Sequence, residues 1–600
     1  MDELLTGPIR GELLGAELLA ELARAVARGQ RLAPRVPRAR HRLLDRLDQT
    51  RRILSDAHDR LAGAAEQDHN VGPAGEWLLD NLHVVQEHIL EVRESLPGEY
   101  YRELPELAAG PLAGYPRVYE IAIALISHTE ARVELDDLTR FVAAFQEVVP
   151  LRIGELWALP AMLRLGLIES VRRMALRSVR RLEELESADQ WAARLAEAAR
   201  GAGGDLETAL AGFLREPPEL TPTFVSRFLQ QLRFQDGVAP SLRSLEHWVI
   251  EHGMGPEDAA GRATERVALT QVMMANSITS LRTIARLDWE TFVEDQSALE
   301  AALRLDPAGV YPQMTFATRD QYRHVVERIA KRTAREERAV AEEAVRLSRE
   351  AGEGRAWHVG YFLVDEGLAR LETLTGYRPP FGLALLRWAL RHPNVVFVGG
   401  VLVGTLAALW ALLWLAGWPD PATWSLVVLL ALIPANDIAV STVNQLITAF
   451  FPPHVLPKLD LTKTGVPADL RTAVVVPTLF GSVPGVTEAL EHLEVQYLAN
   501  RDAHLHFALL SDFTDSPTEQ RPDDAAIVAA AVEGIDGLNR RHGTGETGPF
   551  ALFHRGRRWN PHERVWMGWE RKRGKLAEFN AYVRSGGLGG RTVSASRVIT

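Results

Sequence analysis

Between Arg391 and Asp420 the chain carries no Asp, Glu, Lys or Arg, and the centre of that gap reads VVFVGGVLVGTLAALWALLWLAG. A bilayer's hydrocarbon layer is crossed by about 20 predominantly apolar residues in helical form, so the run from Val395 to Gly417 is long enough to span. After a break at Trp418-Pro419-Asp420-Pro421, a second apolar run goes from Trp424 to Phe451 and holds one charge, Asp437. Pro434, Asn436, Asp437, Asn444 and Gln445 are costly in lipid, so this run reads either as a second span or as a buried or re-entrant helix. The expected fold class is a multidomain membrane protein: an all-α region over 1–376, a transmembrane hairpin over 394–451, and a further domain after it. Arg378, Arg387 and Arg391 precede the hairpin and Lys458, Lys463 and Arg471 come after it, whereas the turn carries only Asp420. Lys and Arg stay on the cytoplasmic side, which predicts two cytoplasmic soluble portions and an outward-facing turn.

Composition narrows the function. A formal charge of −11 over 600 residues argues against a general nucleic-acid binder. The absence of cysteine excludes disulfides, thiolate metal sites and a cysteine nucleophile. The N-terminus, MDELLTGPIRGELLGAELLA, has neither the cationic start nor the continuous apolar stretch of a secretory signal. Insertion would therefore rest on the internal spans.

Residues 1–376 are rich in Leu, Ala, Arg and Glu with apolar residues at helical spacing, as at Leu43, Leu47, Leu54 and Leu61. One helix is expected to open at Glu76 and run through Val92, and another to start at Arg117. Pro150 and Pro160 punctuate the next stretch, and Met162 to Glu186 reads as a long helix. Its Arg172, Arg173, Arg177, Arg180 and Arg181, with Glu169, Glu183 and Glu184 among them, read as a solvated charged face. A loop is expected at Gly201–Gly204. His128, His324 and His358 read as helix histidines rather than metal ligands. With no catalytic constellation in sight, this half reads as a scaffold or regulatory assembly.

Beyond a linker at 452–470 the period changes. Arg471 to Thr478 reads as a buried parallel strand closed by Pro477, and His506 to Leu510 as a second strand ending at Ser511-Asp512. Phe550 to Phe553 reads as a third, with helices over 486–498 and 523–541 between them. This βαβαβ order implies a doubly wound sheet with ligands at the carboxyl ends of its strands. Asp512, just past a strand, suits a uracil or ribose contact and equally a helix cap or turn carboxylate. Arg571 to Lys575 place four cations and a glycine before a predicted helix, which suits a diphosphate or an exposed basic turn.

Several longer motifs carry a resemblance. PTLFGS at 477–482, LLSDFTDS at 509–516 and WMGWERKRGKLAEFN at 566–580 resemble the glycosyltransferase domain of the cyclic β-1,2-glucan synthases. EWLLDN at 76–81, PRVYEIA at 116–122, RFVAAFQ at 140–146 and GELWALPAMLRLGLIE at 154–169 resemble that family's helical region. The resemblance implies a GT-A glycosyltransferase domain from 471 on, transferring glucose from UDP-glucose to a growing β-1,2-glucan at the bacterial inner membrane. It gives Pro477 and Thr478 to the uridine pocket, makes Asp512 the uridine-contacting aspartate, and sets Lys575 and Asn580 near the diphosphate. It implies Mg²⁺ or Mn²⁺ held by an Asp-x-Asp beyond Thr600, together with the catalytic base, so residues 1–600 are expected to be inactive alone. The alternative is a membrane-anchored helical scaffold with a nucleotide-sugar-binding domain that does not turn over.

Overall fold

The computed structural model describes residues 10–584 except 34–41, 201–205, 235–238, 544–547 and positions 253, 416, 418–419, 452, 454 and 463. The loop expected at Gly201–Gly204 lies outside these residues. The chain forms two compact units, residues 1–312 with 316–454 and residues 455–600 with 313–315.

The first unit is built around one helix. Among its helices are α1 (Gly72–Ser95), α2 (Arg117–His128), α3 (Ile153–Ala199), α4 (Pro222–Arg233) and α5 (Pro256–Arg286), and the other four all pack on α3. Every residue of α3 from Ala158 to Ala175 is buried, so this stretch shows no polar face. The helix runs through Pro160 rather than stopping there. A proline inside a helix costs about 3 kcal/mol, and enclosure of the surrounding turns offsets it. Enclosure also overturns the solvated-face reading: Arg172 and Arg173 are buried, and Arg177 and Arg181 half-buried.

Several buried charges in this unit are paired, which offsets the cost of burying them. Arg117 of α2 grips Glu155 of α3 with two bonds of 2.6 and 2.7 Å. Glu169 accepts from Arg172 at 2.6 Å, Arg173 at 2.9 Å and Arg46 at 2.8 Å. Two of the three histidines lie in helices, His128 and His324, whereas His358 lies outside any helix. His128 and His324 bond backbone carbonyls, and His358 sits 2.9 Å from Asp306.

α6 (Phe381–Arg391) leads into α7 (Pro393–Leu415) and α8 (Trp424–Phe450). Both α7 and α8 are long and apolar enough to cross a membrane by length and composition. Their large side chains stay open to the surroundings, for example Leu402, Trp410, Leu429 and Ile433. The two helices meet along small residues: a side chain at Gly404 would come 3.1 Å from the Ala439 Cβ, and Ala435 and Ala439 are buried. Close backbone approach of this kind is how helices associate in lipid. Thr405 donates to Asn436 at 3.4 Å across the seam, whereas Asp437, Asn444 and Gln445 lie on the open side of α8. Trp388 and Phe381 leave α6 with an exposed apolar flank, a feature that the helical spacing alone did not pick out.

The second unit holds a three-stranded parallel sheet of β1 (Thr472–Phe480), β2 (Leu505–Phe513) and β3 (Phe550–Arg555), in that order. β1 continues through Pro477 instead of ending there. It is an edge strand of this sheet, where a missing N–H is tolerated. β2 likewise extends to Phe513, so Asp512 lies within the strand, paired in register with Leu479 and Arg555. α9 (Val483–Ala499) and α10 (Asp524–His542) share one core with Phe480, Phe507, Leu509 and Leu552. Consecutive right-handed crossovers advancing in one direction put both helices on the same face. The described strands thus lie in sequence order, and no reversal of order, the mark of a doubly wound sheet, occurs among them. α11 (Arg571–Arg584) packs on β1 and β2.

Candidate functional site

The site grows from the carboxyl ends of the strands. Asp512 is fully buried, and its in-register neighbour Arg555 donates Nε to Oδ1 at 2.7 Å and a terminal nitrogen to Oδ2 at 3.1 Å. Lys575, from the second turn of α11, completes the cluster. Its Nζ lies 3.0 Å from Asp512 Oδ2 and donates to the Thr478 carbonyl at 2.6 Å. One carboxylate therefore holds two cations at the sheet's carboxyl edge, and half-exposed Glu578 stands 3.2 Å from Arg555. Burial lowers the Lys575 pKa and Asp512 pulls it back in part. For Arg555 burial is the largest single effect and acts downward, but the bonds and charges of Asp512 and Glu578 together outweigh it and the pKa is raised.

The motif at 566–580 is shaped to reach this cluster. β4 (Arg558–Asn560) and β5 (Val565–Met567) form a hairpin that delivers Gly568 against Asp512. A Cβ on Gly568 would sit 2.6 Å from the Asp512 Cγ, and one on Gly574 would sit 2.1 Å from the Trp569 carbonyl oxygen. Between them Glu570 and Arg571 both take left-handed backbone conformations, at φ 52° and 48°. Such residues cost of order 1–3 kcal/mol each. Arg555 also ties this turn down, donating to the carbonyls of Trp569 and Arg571 at 3.2 Å. Replacing Gly568 by alanine is expected to displace the Asp512 carboxyl and destabilise the unit by about 1–3 kcal/mol. Chemical denaturation checks this, and an unchanged midpoint would contradict the tight approach.

Beside the cluster opens a cleft of about 300 Å³ lined by Phe553, Arg555, Trp569, Lys575, Phe579 and Tyr582. Phe553 meets Phe579 and Tyr582 edge-on at 5.2 and 5.6 Å, giving an aromatic wall next to two cations. A flat ring against the wall and an anion against Arg555 and Lys575 is the ligand such a cleft suits. His554 points to the opposite face, bonding Ser511 at 2.9 Å, and burial pushes it down to about 4.

Of the residues singled out in the sequence, the structure brings Asp512, Lys575 and the backbone of Thr478 together. Pro477 is one register position away, beside Leu510. Asn580 is exposed on α11 and does not line the cleft. Sequence reading missed Arg555, Trp569 and Tyr582. The HRGRR run at 554–558, dense in cations at a strand end, was the available signal for Arg555. A divalent cation does not fit the residues present. Asp512 is taken by two cations, the cleft's other carboxylate, Glu578, stands 3.2 Å from Arg555, and no cluster of three metal-binding side chains occurs among the described residues.

No protein-family model matches the chain. Among curated proteins it is similar to the cyclic β-(1,2)-glucan synthase NdvB of Rhizobium meliloti (strain 1021), with 35% identity over 566 residues. The alignment covers 91% of this chain, which spans 19% of the length of that relative.

Proposed function

Across the 91% of its length that aligns, the chain belongs to the cyclic β-(1,2)-glucan synthase family, and we propose that its α/β unit binds the sugar-nucleotide donor, UDP-glucose, for β-1,2-glucan synthesis. The observation that carries this reading is the Asp512–Arg555–Lys575 cluster beside an aromatic-walled cleft at the carboxyl edge of a parallel sheet. Asp512 acts here as an anchor that aims two cations, rather than as a direct uridine contact, because it is fully buried. The uracil ring lies against Phe579 and Tyr582, and the diphosphate draws on Lys575 and Arg555. A GT-A fold and a Mg²⁺- or Mn²⁺-dependent transfer step belong to the same proposal, with the metal-binding carboxylates and the catalytic base supplied from outside the described residues. Residues 10–584 then bind donor without transferring glucose.

Lys575→Ala should weaken UDP more than uridine, because only the diphosphate needs its charge. A charge-assisted bond of this kind is worth about 1.5–3 kcal/mol. Calorimetry with both ligands on the detergent-purified chain checks it, and equal losses for UDP and uridine would remove Lys575 from the phosphate role.

We further propose that α7 and α8 cross the bacterial cell membrane with both large parts in the cytoplasm. The support is the cation asymmetry around the hairpin. The chain has no cysteine, so single cysteines at 376, 420 and 461 can be probed with an impermeant thiol reagent in intact cells. Labelling at 420 alone is the expected pattern, and labelling at 376 or 461 with protection at 420 would reverse the assignment.

A further inference from the structure

A concentration of positive charge lies in the helical unit, in a cavity of about 550 Å³ against α3. Six arginines line it, at 172, 173, 177, 180, 181 and 266, against two glutamates, Glu184 and Glu219. Both glutamates are engaged by Arg180, at 3.4 and 2.7 Å. Arg172 and Arg173 share Glu169 with Arg46. That leaves Arg177, Arg181 and Arg266 with no carboxylate partner among the described residues. Arg181 donates only to the Asn70 carbonyl, at 3.3 Å. Arg177 is half-buried with Arg173 and Arg266 as its charged neighbours, and burial first, then those two charges, lower its pKa.

Two helix ends add to the field. α1 begins at Gly72-Pro73-Ala74 and α4 begins after Thr221, and both N-terminal ends line the same cavity. Pro73 and Pro222 carry no N–H, and the Gly72 and Phe224 N–H groups are held by Asn70 and Thr221, so these ends add mainly the partial positive charge of a helix N-terminus. Arg177 and Arg181 are half-buried and Arg266 is exposed, and cations that face one another this closely repel unless an anion joins them. A cavity of this size matches small-molecule sites, which run to roughly 300–1,000 Å³.

We propose that this cavity is a binding site for a phosphorylated small molecule carrying at least two negative charges, separate from the donor cleft. Arg177, Arg181 and Arg266 hold the phosphate oxygens, and the N-terminal ends of α1 and α4 add partial positive charge. The site gives the helical half a ligand-responsive role that its lack of catalytic residues otherwise leaves without chemistry.

The test uses the intact chain in detergent with sodium pyrophosphate as probe, read by thermal melting against sodium chloride of equal ionic strength. A saturable rise in melting midpoint is expected with pyrophosphate only. Arg177→Gln with Arg266→Gln should weaken its apparent affinity roughly tenfold or more, without lowering the ligand-free midpoint. Because pyrophosphate also suits the donor cleft, the double variant is made and read in a Lys575→Ala background, which weakens binding there and should leave the response of this cavity in place. A response matched by sodium chloride, retained in the double variant, or lost with Lys575→Ala overturns the proposal. So does a double variant that melts earlier without ligand, which would make these arginines structural. Binding to vesicles containing phosphatidylglycerol, with no response to pyrophosphate, would assign the cations to a lipid headgroup and contradict a soluble ligand.

Discussion

Asp512→Asn is expected to destabilise the α/β unit by about 3–5 kcal/mol and to abolish UDP binding with it. The size comes from burial. Asparagine keeps the shape of the side chain but strands Arg555 and Lys575, 15% and 5% exposed, without their carboxylate, and breaking one partner out of a buried pair costs that much. A surface pair in the same unit supplies the contrast. Arg541 and Glu494 lie 2.7 Å apart, but Arg541 is 61% exposed, and such pairs are worth about 0–1 kcal/mol. Chemical denaturation followed by tryptophan fluorescence should therefore separate Asp512→Asn from Arg541→Gln, which leaves the Glu494–His542 contact in place, by several kcal/mol. Equal losses would mean that the cluster is no more buried, energetically, than an exposed ion pair.

Glu169→Gln should be as damaging in the helical unit, for the same reason multiplied. One carboxylate 6% exposed neutralises Arg172, Arg173 and Arg46, and its removal leaves buried cations beside an already cation-rich cavity. Burial by itself would raise the Glu169 pKa, but the bonds and charges of Arg172 and Arg46 outweigh it and hold the group at about 2. Because the folded value lies below the unfolded one, this contribution is fully present above roughly pH 4.5. It is lost as pH falls through about 2. The shift corresponds to about 3 kcal/mol. The difference in stability between wild type and Glu169→Gln, measured by denaturation from pH 6 down to the lowest pH at which both fold, should therefore shrink as pH falls. A difference independent of pH would show that Glu169 acts through shape alone.

Several of these features were readable in the sequence, and the misreadings have physical causes. The hairpin was legible because about 25 uncharged residues in a row serve few purposes in water. The motif at 566–580 was legible because Gly568 and Gly574 are set by close approach to Asp512 and Trp569, and Lys575 reaches Asp512. The arginines of α3 were misread because Glu169 with Arg172 and Arg173 has the i, i+3 and i, i+4 spacing of any charged helix. What distinguishes a buried network is Arg46, more than a hundred residues upstream, and no local pattern reports it. Arg555 was missed for a similar reason, since its role depends on the register that sets it opposite Asp512. The helical motifs shared with the family proved to be braces. Arg117 of PRVYEIA holds Glu155 of GELWALPAMLRLGLIE, and Gln146 of RFVAAFQ bonds the Gln296 carbonyl at 2.9 Å.

The central claim is that a sugar nucleotide occupies the cleft between β3 and α11, and photo-crosslinking tests it most directly. A UDP-glucose analogue carrying a photoreactive group on the uracil ring should label the purified chain on peptides containing Phe553, Trp569, Phe579 or Tyr582. Excess UDP should protect against labelling, and Asp512→Asn should lose it. Labelling confined to the helical unit, or UDP-protected labelling of the α/β unit that persists in full after Asp512→Asn, would contradict the account.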